Sequence, residues 1–325
     1  MKRMSALLLA AVLVPLSALA ADYPIKDKPI TIVVPFAAGG PTDRVARDLA
    51  ESMRKPLGAM SVVIDNVGGA GGTLGAAKAA RSTPDGHTLF LHHIGMATSP
   101  ALYRKLPYDT LGDFEYLGMI NEVPMTLVGR NTLPAKNFKE LQAWIQASKG
   151  KVNLGNAGLG AASHLCGLLF QSALKVDMTT VPYKGTAPAM TDLIGGQIDL
   201  MCDQTTNTTQ QIKSGRVKVY GVTTGQRIPS LSMVPTMAEQ GMKGFEVSVW
   251  HGIYASKGTP KPVVDKLVAA LQASVQDAQC KSRIGELGAQ AVSKDKATPE
   301  GLAKHLKAEI DKWGPIIKKA GQYAD

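Results

Sequence analysis

Ile32-Val33-Val34-Pro35-Phe36-Ala37-Ala38-Gly39-Gly40-Pro41-Thr42-Asp43-Arg44-Val45-Ala46-Arg47 passes from an apolar run through two glycines into a helical pattern. Its reading is strand, loop, helix. Val45, Leu49 and Met53 recur at helical spacing, Pro41 suits a first helical position, and Gly40 before it is an acceptable N-cap. Such a helix points its N-terminus back at the loop. Its unpaired N–H groups and the positive end of its dipole can hold a carboxylate or phosphate, and glycine lets a ligand approach the backbone. The competing reading is a turn that binds nothing, because every α/β chain needs strand-to-helix turns.

The same unit recurs outward from this stretch. A strand at 61–65 runs into Asn66-Val67-Gly68-Gly69-Ala70-Gly71-Gly72-Thr73, a second glycine-rich loop that feeds a helix. A third strand, 88–93, ends at a loop over 94–100 that can face the same place. From Pro124 the pattern restarts, with a strand at 125–129 and a helix over 138–149 whose Leu141 and Ile145 share a face. Val152-Asn153-Leu154-Gly155 then enters Asn156-Ala157-Gly158-Leu159-Gly160-Ala161-Ala162-Ser163-His164, with Ser163 a good N-cap for the helix that follows. Residues 181–186 precede a helix that runs to Ile194, and a strand at 198–203 opens into the polar Gln204-Thr205-Thr206-Asn207. Alternation of this kind predicts α/β layers with largely parallel sheets.

Composition narrows the function. Lys2 and Arg3, the apolar run 6–19 and the small residues Ala18 and Ala20 read as a secretory signal peptide over residues 1–20. Removing it leaves 34 Lys and Arg against 26 Asp and Glu, a net charge of +8 instead of +10. Scattered basic residues and few aromatics argue against nucleic acid. The remaining 305 residues exceed what one core usually holds, so two lobes are expected. The dinucleotide fingerprint fails twice, where Leu74 and Ser163 replace its third glycine or alanine, and the Lys-Ser/Thr of a P-loop is absent. Ser163 and His164 are adjacent on a helix and do not face each other, so no hydrolase pair follows. No G-x-S-x-G elbow occurs, the six histidines are dispersed, and no Cys-x-x-Cys occurs. No catalytic, cofactor or metal site is therefore expected.

The stretches 35–47, 66–77, 155–165, 181–189 and 195–203, in this order, resemble the Bug family, the solute-binding proteins of tripartite tricarboxylate transporters. The resemblance covers the chain beyond the leader. It implies a two-lobe periplasmic binding protein fold of type II character, each lobe a mostly parallel sheet flanked by helices, closing like a flytrap. The ligand would be a small di- or tricarboxylate, aliphatic or aromatic, delivered by a monomer to integral-membrane permease subunits. A sensor partner for a membrane receptor is the alternative. The lobes would comprise 21–124 with 248–325, and 125–247. The chain would cross between them near 121–125 and 246–250, and the helices from Pro262 would return to the first lobe.

Carried over by position, the resemblance implies first-lobe ligand contacts from Phe36, Ala38, Gly39, Gly40, Thr42, Asp43, Gly71, Thr73 and Met96. Second-lobe contacts would come from Gly158, Ala161, Ser163, His164, Lys184, Gly185 and Asp203. Asp43 has a rival role, capping its own helix, because its charge repels an anion at short range. Lys184 either pairs with the ligand or is solvated. His93 and His251 read as packed or exposed histidines, and Trp250 as a ligand-stacking or hinge-packing ring. Cys166 and Cys202 fall in one expected lobe and pair as a disulfide or remain two buried thiols, and Cys280 has no evident partner.

Overall fold

The computed structural model describes residues 23–320, so the expected leader lies outside the described residues. Strand β1 (Ile30–Val34) leads through the glycine loop into helix α1 (Pro41–Leu57). Pro41 takes the first helical position behind the extended N-cap Gly40, and Val45, Leu49 and Met53 lie on the buried face. Each such side chain contributes about 1.5–3 kcal/mol when fully buried. The helix stops at Gly58, whose φ of 67° lets its N–H reach the Arg54 and Lys55 carbonyls.

Strand β2 (Val62–Asn66) precedes α2 (Thr73–Ala80), and β3 (Thr88–His93) precedes α3 (Gly95–Leu102). Then come β4 (Phe114–Arg130), α4 (Phe138–Ala147), β5 (Asn153–Asn156), α5 (Ala162–Leu174), β6 (Thr179–Pro182) and α6 (Thr186–Ile194). They are followed by β7 (Leu200–Gln204), α7 (Thr205–Lys213), β8 (Val217–Val222) and β9 (Ser248–Ser256). Helices α8 (Lys261–Gln276) and α9 (Ala278–Glu286), strand β10 (Gln290–Ala291) and α10 (Pro299–Ala320) complete the order.

The strands form one mixed sheet in the order β2-β1-β3-β9-β4-β7-β5-β6, with β8 and β10 also paired to β4. The parallel pairs, β1 with β2 and β3, and β5 with β6 and β7, lie on the two flanks. The centre is antiparallel, because β4 and β9 run against their neighbours. Strand β4 belongs to both flanks. Residues from Phe114 to Pro124 pair with β9, whereas Met125 and onward pair with β7, and Thr126 and onward with β8. Pro124, which lacks an N–H, ends the β9 ladder opposite Ser248. The chain returns beside this point, where the Val247 N–H donates to the Thr223 carbonyl at 3.1 Å. Helix α8 packs on α1, and α10 on α3 and β4, so the last helices cover the first half.

Three local expectations change. The loop over 94–100 is helix α3, and the polar 204–207 opens helix α7. Threonine and asparagine are poor helix formers, yet α7 buries Thr205, Thr206, Asn207, Thr208 and Thr209, so tertiary packing overrides propensity. The N-cap of α5 is Ala161, which puts Ser163 inside the first turn. Cys166 on α5 and Cys202 on β7 are disulfide-bonded with Cα atoms 6.0 Å apart, and Cys280 is a buried free thiol.

Candidate functional site

The loop ahead of α1 is shaped by Asp43. Its Oδ2 accepts from the Gly39 N–H at 2.8 Å and from Arg47 Nε at 2.9 Å, and its Oδ1 accepts from Asn66 Nδ2 at 3.0 Å. Burial alone would raise this carboxyl, but Arg47, the Gly39 N–H and Asn66 together hold it below its ordinary value. The buried side chain therefore braces the loop ahead of its helix at Gly39, and is not the helix cap that was weighed against ligand contact, since the N-cap Gly40 has no side-chain hydrogen bond.

Histidines support this brace from beneath. The His251 ring lies 3.3 Å from Thr42 Oγ1 through Nε2 and 2.8 Å from Asn121 Oδ1 through Nδ1. His93 Nδ1 accepts from the Gly95 N–H at 3.0 Å, and the ring stacks on Phe36 with centroids 4.7 Å apart. Burial pushes the His93 pKa down to about 3, so the ring is neutral and carries its proton on Nε2. Trp250 packs at the crossing point, edge-on to His305 and donating to Glu309 Oε2 at 3.2 Å.

The facing wall is built from three helix starts. Ser163 Oγ accepts from the Ala157 N–H at 2.9 Å, Asn156 Oδ1 from the Gly158 N–H at 2.8 Å, and His164 Nδ1 from the Gly160 N–H at 3.3 Å, which together fix the loop before α5. Asp203 ends β7 fully buried, and its Oδ2 accepts from Asn207 Nδ2 at 2.7 Å. Its Oδ1, Thr186 Oγ1 and Gln204 Oε1 are buried with no hydrogen-bond partner among the described residues. Burial raises the Asp203 pKa to about 6, against Asn207, the Gln204 N–H and Arg44, which favour the ionised form, as does the neighbouring Thr186 hydroxyl, although it forms no hydrogen bond to Asp203 in this geometry.

Both walls meet at a small cavity. Phe36, Pro41, Thr42 and His93 line it from the first half, and Ala157, Ala162, Ser163, Thr186, Asp203 and Gln204 from the second. The N-termini of α1, α5, α6 and α7 thus converge on one space, and none of the four has a side-chain hydrogen bond at its N-cap. Helix geometry leaves first-turn N–H groups without helical partners at each start, so the space favours anionic oxygen. Beside it the halves touch along a seam. The Ala37 N–H donates to the Lys184 carbonyl at 2.9 Å, Thr98 Oγ1 to the Gly160 carbonyl at 2.8 Å, and the Tyr103 hydroxyl to the Leu159 carbonyl at 2.9 Å.

Of the residues singled out from sequence, Phe36, Thr42, Ser163 and Asp203 line the cavity. Gly71, Gly158 and Gly185 sit on the seam instead. A Cβ at Gly71 would stand 1.8 Å from the Leu159 carbonyl oxygen, one at Gly158 2.9 Å from the Gly71 nitrogen, and one at Gly185 2.9 Å from the Ala37 nitrogen. Lys184 gives its carbonyl to the seam while its side chain is exposed. Ala38 and Gly39 are exposed, Gly40 and Ala161 serve as N-caps, and Thr73 donates to the Ala70 carbonyl. Met96 is buried in the core and His164 braces its own loop, so neither lines the cavity. Sequence reasoning missed Pro41, Ala157, Ala162, Thr186 and Gln204. Thr186 and Gln204 each begin a helix directly after a residue that had been singled out, and that adjacency was the available signal.

A roomier groove of about 730 Å³ lies elsewhere, between Gln142, the end of α5, the 241–246 loop and Trp313. No helix begins among its lining residues, so it lacks the N–H groups that the small cavity gathers.

The model of the tripartite tricarboxylate transporter family receptor matches residues 45–322. An Agrobacterium vitis protein, named as the UPF0065 protein in the TAR-I ttuE-ttuC' intergenic region, is 50% identical over 98% of this chain and 92% of its own length. Among solved structures, the periplasmic binding protein BugD superposes with a TM-score of 0.89 at 53% identity, covering 91% of this chain and 99% of that one. MatC of Rhodopseudomonas palustris, solved with bound malate, superposes with a TM-score of 0.86 at 38% identity, over 91% of this chain and 100% of its own.

Proposed function

The chain belongs to the tripartite tricarboxylate transporter receptor family, and from that premise we propose that it is an exported receptor that captures a small dicarboxylate between its two halves and hands it to a membrane permease. The observation that carries this reading is the convergence of four N-termini without side-chain caps on one buried cavity. Two opposed sets of N–H groups, α1 on one wall and α5, α6 and α7 on the other, suit a ligand with an anionic group at each end. MatC, with its bound malate, is a relative that carries such a ligand.

Residues 23–124 with 248–320 act as one lobe and 125–247 as the other. The partner change of β4 at Pro124 and the return at Val247 supply the hinge, and the seam closes over the ligand. Residues 1–20 direct export to the periplasm and are removed. The protein works as a monomer without cofactor or catalytic step, a reading supported by Ser163 Oγ accepting from the Ala157 N–H while the adjacent His164 accepts from the Gly160 N–H.

A thermal-shift panel of carboxylates, sugars and amines tests the reading. Ligand at about a hundred times its Kd adds roughly 2.7 kcal/mol and moves Tm by several degrees at this size. A shift with sugars or simple amines and with no carboxylate would overturn it.

A further inference from the structure

We propose that Asp203 makes the cleft selective for dicarboxylates that carry a hydrogen-bond donor, a hydroxyl or an ammonium group, on the carbon beside a carboxylate. The proposal rests on the carboxylate-binding reading above and adds the second chemical feature of the ligand. Asp203 is fully buried, and its Oδ2 is held by Asn207 Nδ2 at 2.7 Å, which fixes the carboxylate plane. Among the described residues Oδ1 has no hydrogen-bond partner, and on the same cavity wall Thr186 Oγ1 and Gln204 Oε1 have none either. The Thr186 hydroxyl has one proton to give, while Asp203 Oδ1 and Gln204 Oε1 both need a donor.

A carboxylate is the wrong group to place in a site that only has to hold anions, because it repels them. The four helix starts already supply donors for the ligand's carboxylates. What the wall lacks is a donor to itself. A hydroxyl or ammonium beside the carboxylate donates to Asp203 Oδ1 and separates the two negative charges. A plain diacid offers only methylene there and leaves a buried acceptor unpaired. A site built to bond a polar group discriminates strongly against the analogue that lacks it.

Calorimetric titration at pH 7.5 compares malate and aspartate with succinate, which share a four-carbon chain, and repeats the pairing at whichever chain length the panel prefers. The donor-bearing acid is expected to bind at least about tenfold tighter than its unsubstituted counterpart, and the stronger of the malate and aspartate arms identifies the donor. In Asp203→Asn, Asn207 Nδ2 retains the new amide's oxygen, so its NH₂ turns to the cavity. The preference then falls to within about twofold. Equal binding of succinate by the wild type, or a preference that survives Asp203→Asn, overturns the proposal. The wild-type arm decides even if the variant folds poorly. Equal binding leaves the carboxylate reading standing, whereas binding of no carboxylate removes that reading and this one together.

Discussion

On the cavity wall supplied by α1 and β3, Thr42 and His93 hydrogen-bond within their own half, and Asp43 braces the loop behind them with three donors. On the wall supplied by α5, α6 and β7, Thr186 Oγ1, Asp203 Oδ1 and Gln204 Oε1 have no hydrogen-bond partner among the described residues. A polar group satisfied by its own fold contributes to stability and is set before anything binds. A buried group left open contributes to affinity, because its bond must come from the ligand. On the proposed reading, the first wall is the fixed anion seat and the second is where ligands are told apart. Ser163 stands between the two cases, since its Oγ accepts from the Ala157 N–H while its own proton remains free to donate.

The largest effect should come from replacing both Cys166 and Cys202 with alanine. The bridge spans 36 residues and ties α5 to β7, the elements that hold Ser163 and Asp203 in register. Losing it costs about 3–4 kcal/mol of ligand-free stability by chemical denaturation. The parent, denatured without reductant, should show the single thiol of Cys280; three thiols would remove the tie between these two parts of the second wall.

Gly71→Ala should separate binding from folding. With φ at +61° and the Leu159 carbonyl oxygen 1.8 Å from the new Cβ, the seam cannot form as it stands. Affinity should fall by about a hundredfold, roughly 2.7 kcal/mol. The ligand-free Tm should stay within about 2 °C. Parental affinity would show that the walls need not meet along this seam.

Asp43→Asn probes the first wall. Removing the charge weakens the bonds from Gly39, Arg47 and Asn66, at a cost of about 2–3 kcal/mol in the ligand-free protein. The depressed carboxyl gives the sign for pH. Its stabilisation is present above the ordinary aspartate range and is lost as pH falls through the lower folded value, so the parent and variant urea midpoints should converge in acid. An unchanged midpoint at neutral pH, with affinity lost instead, would reverse the assignment of the first wall.

Ser163→Ala should give the smallest change, about 1 kcal/mol in stability, because it strips one partner from the buried Ala157 N–H. Its affinity should move less than about threefold. A larger loss in titration calorimetry would place Ser163 with the open groups of the second wall.

Much of this architecture was legible because most flank strands lead through a glycine-bearing loop into a periodic apolar face, as in 32–47 and 152–169. The central strand was less so. The pattern reads as restarting at Pro124, yet β4 runs through it, since Pro124 falls where the sheet partner changes. Helix α7 has no apolar period and is held by burial of its threonines, which only the fold reveals. At the cavity, sequence reasoning pointed to loops that meet there but not to which atoms line it. Gly71 and Gly158 were read as close approaches to a ligand, when the close approach is between backbone segments of the two halves. The tautomer of His93 and the open oxygen of Asp203 depend on single hydrogen bonds, from the Gly95 N–H and from Asn207, that no spacing encodes.

The seam carries a consequence for how such a receptor diversifies. Its three bonds all end on main-chain carbonyls of the second half, at Lys184, Gly160 and Leu159. Those acceptors persist whatever side chains surround them, provided the glycines beside them stay. The latch and the reader are therefore separate parts of one surface. On the proposed reading, residues such as Thr186, Asp203 and Gln204 can be exchanged to change what is captured while the same closing movement reports capture. A lineage, or a designer of sensors, could retune this protein ligand by ligand without rebuilding its hinge.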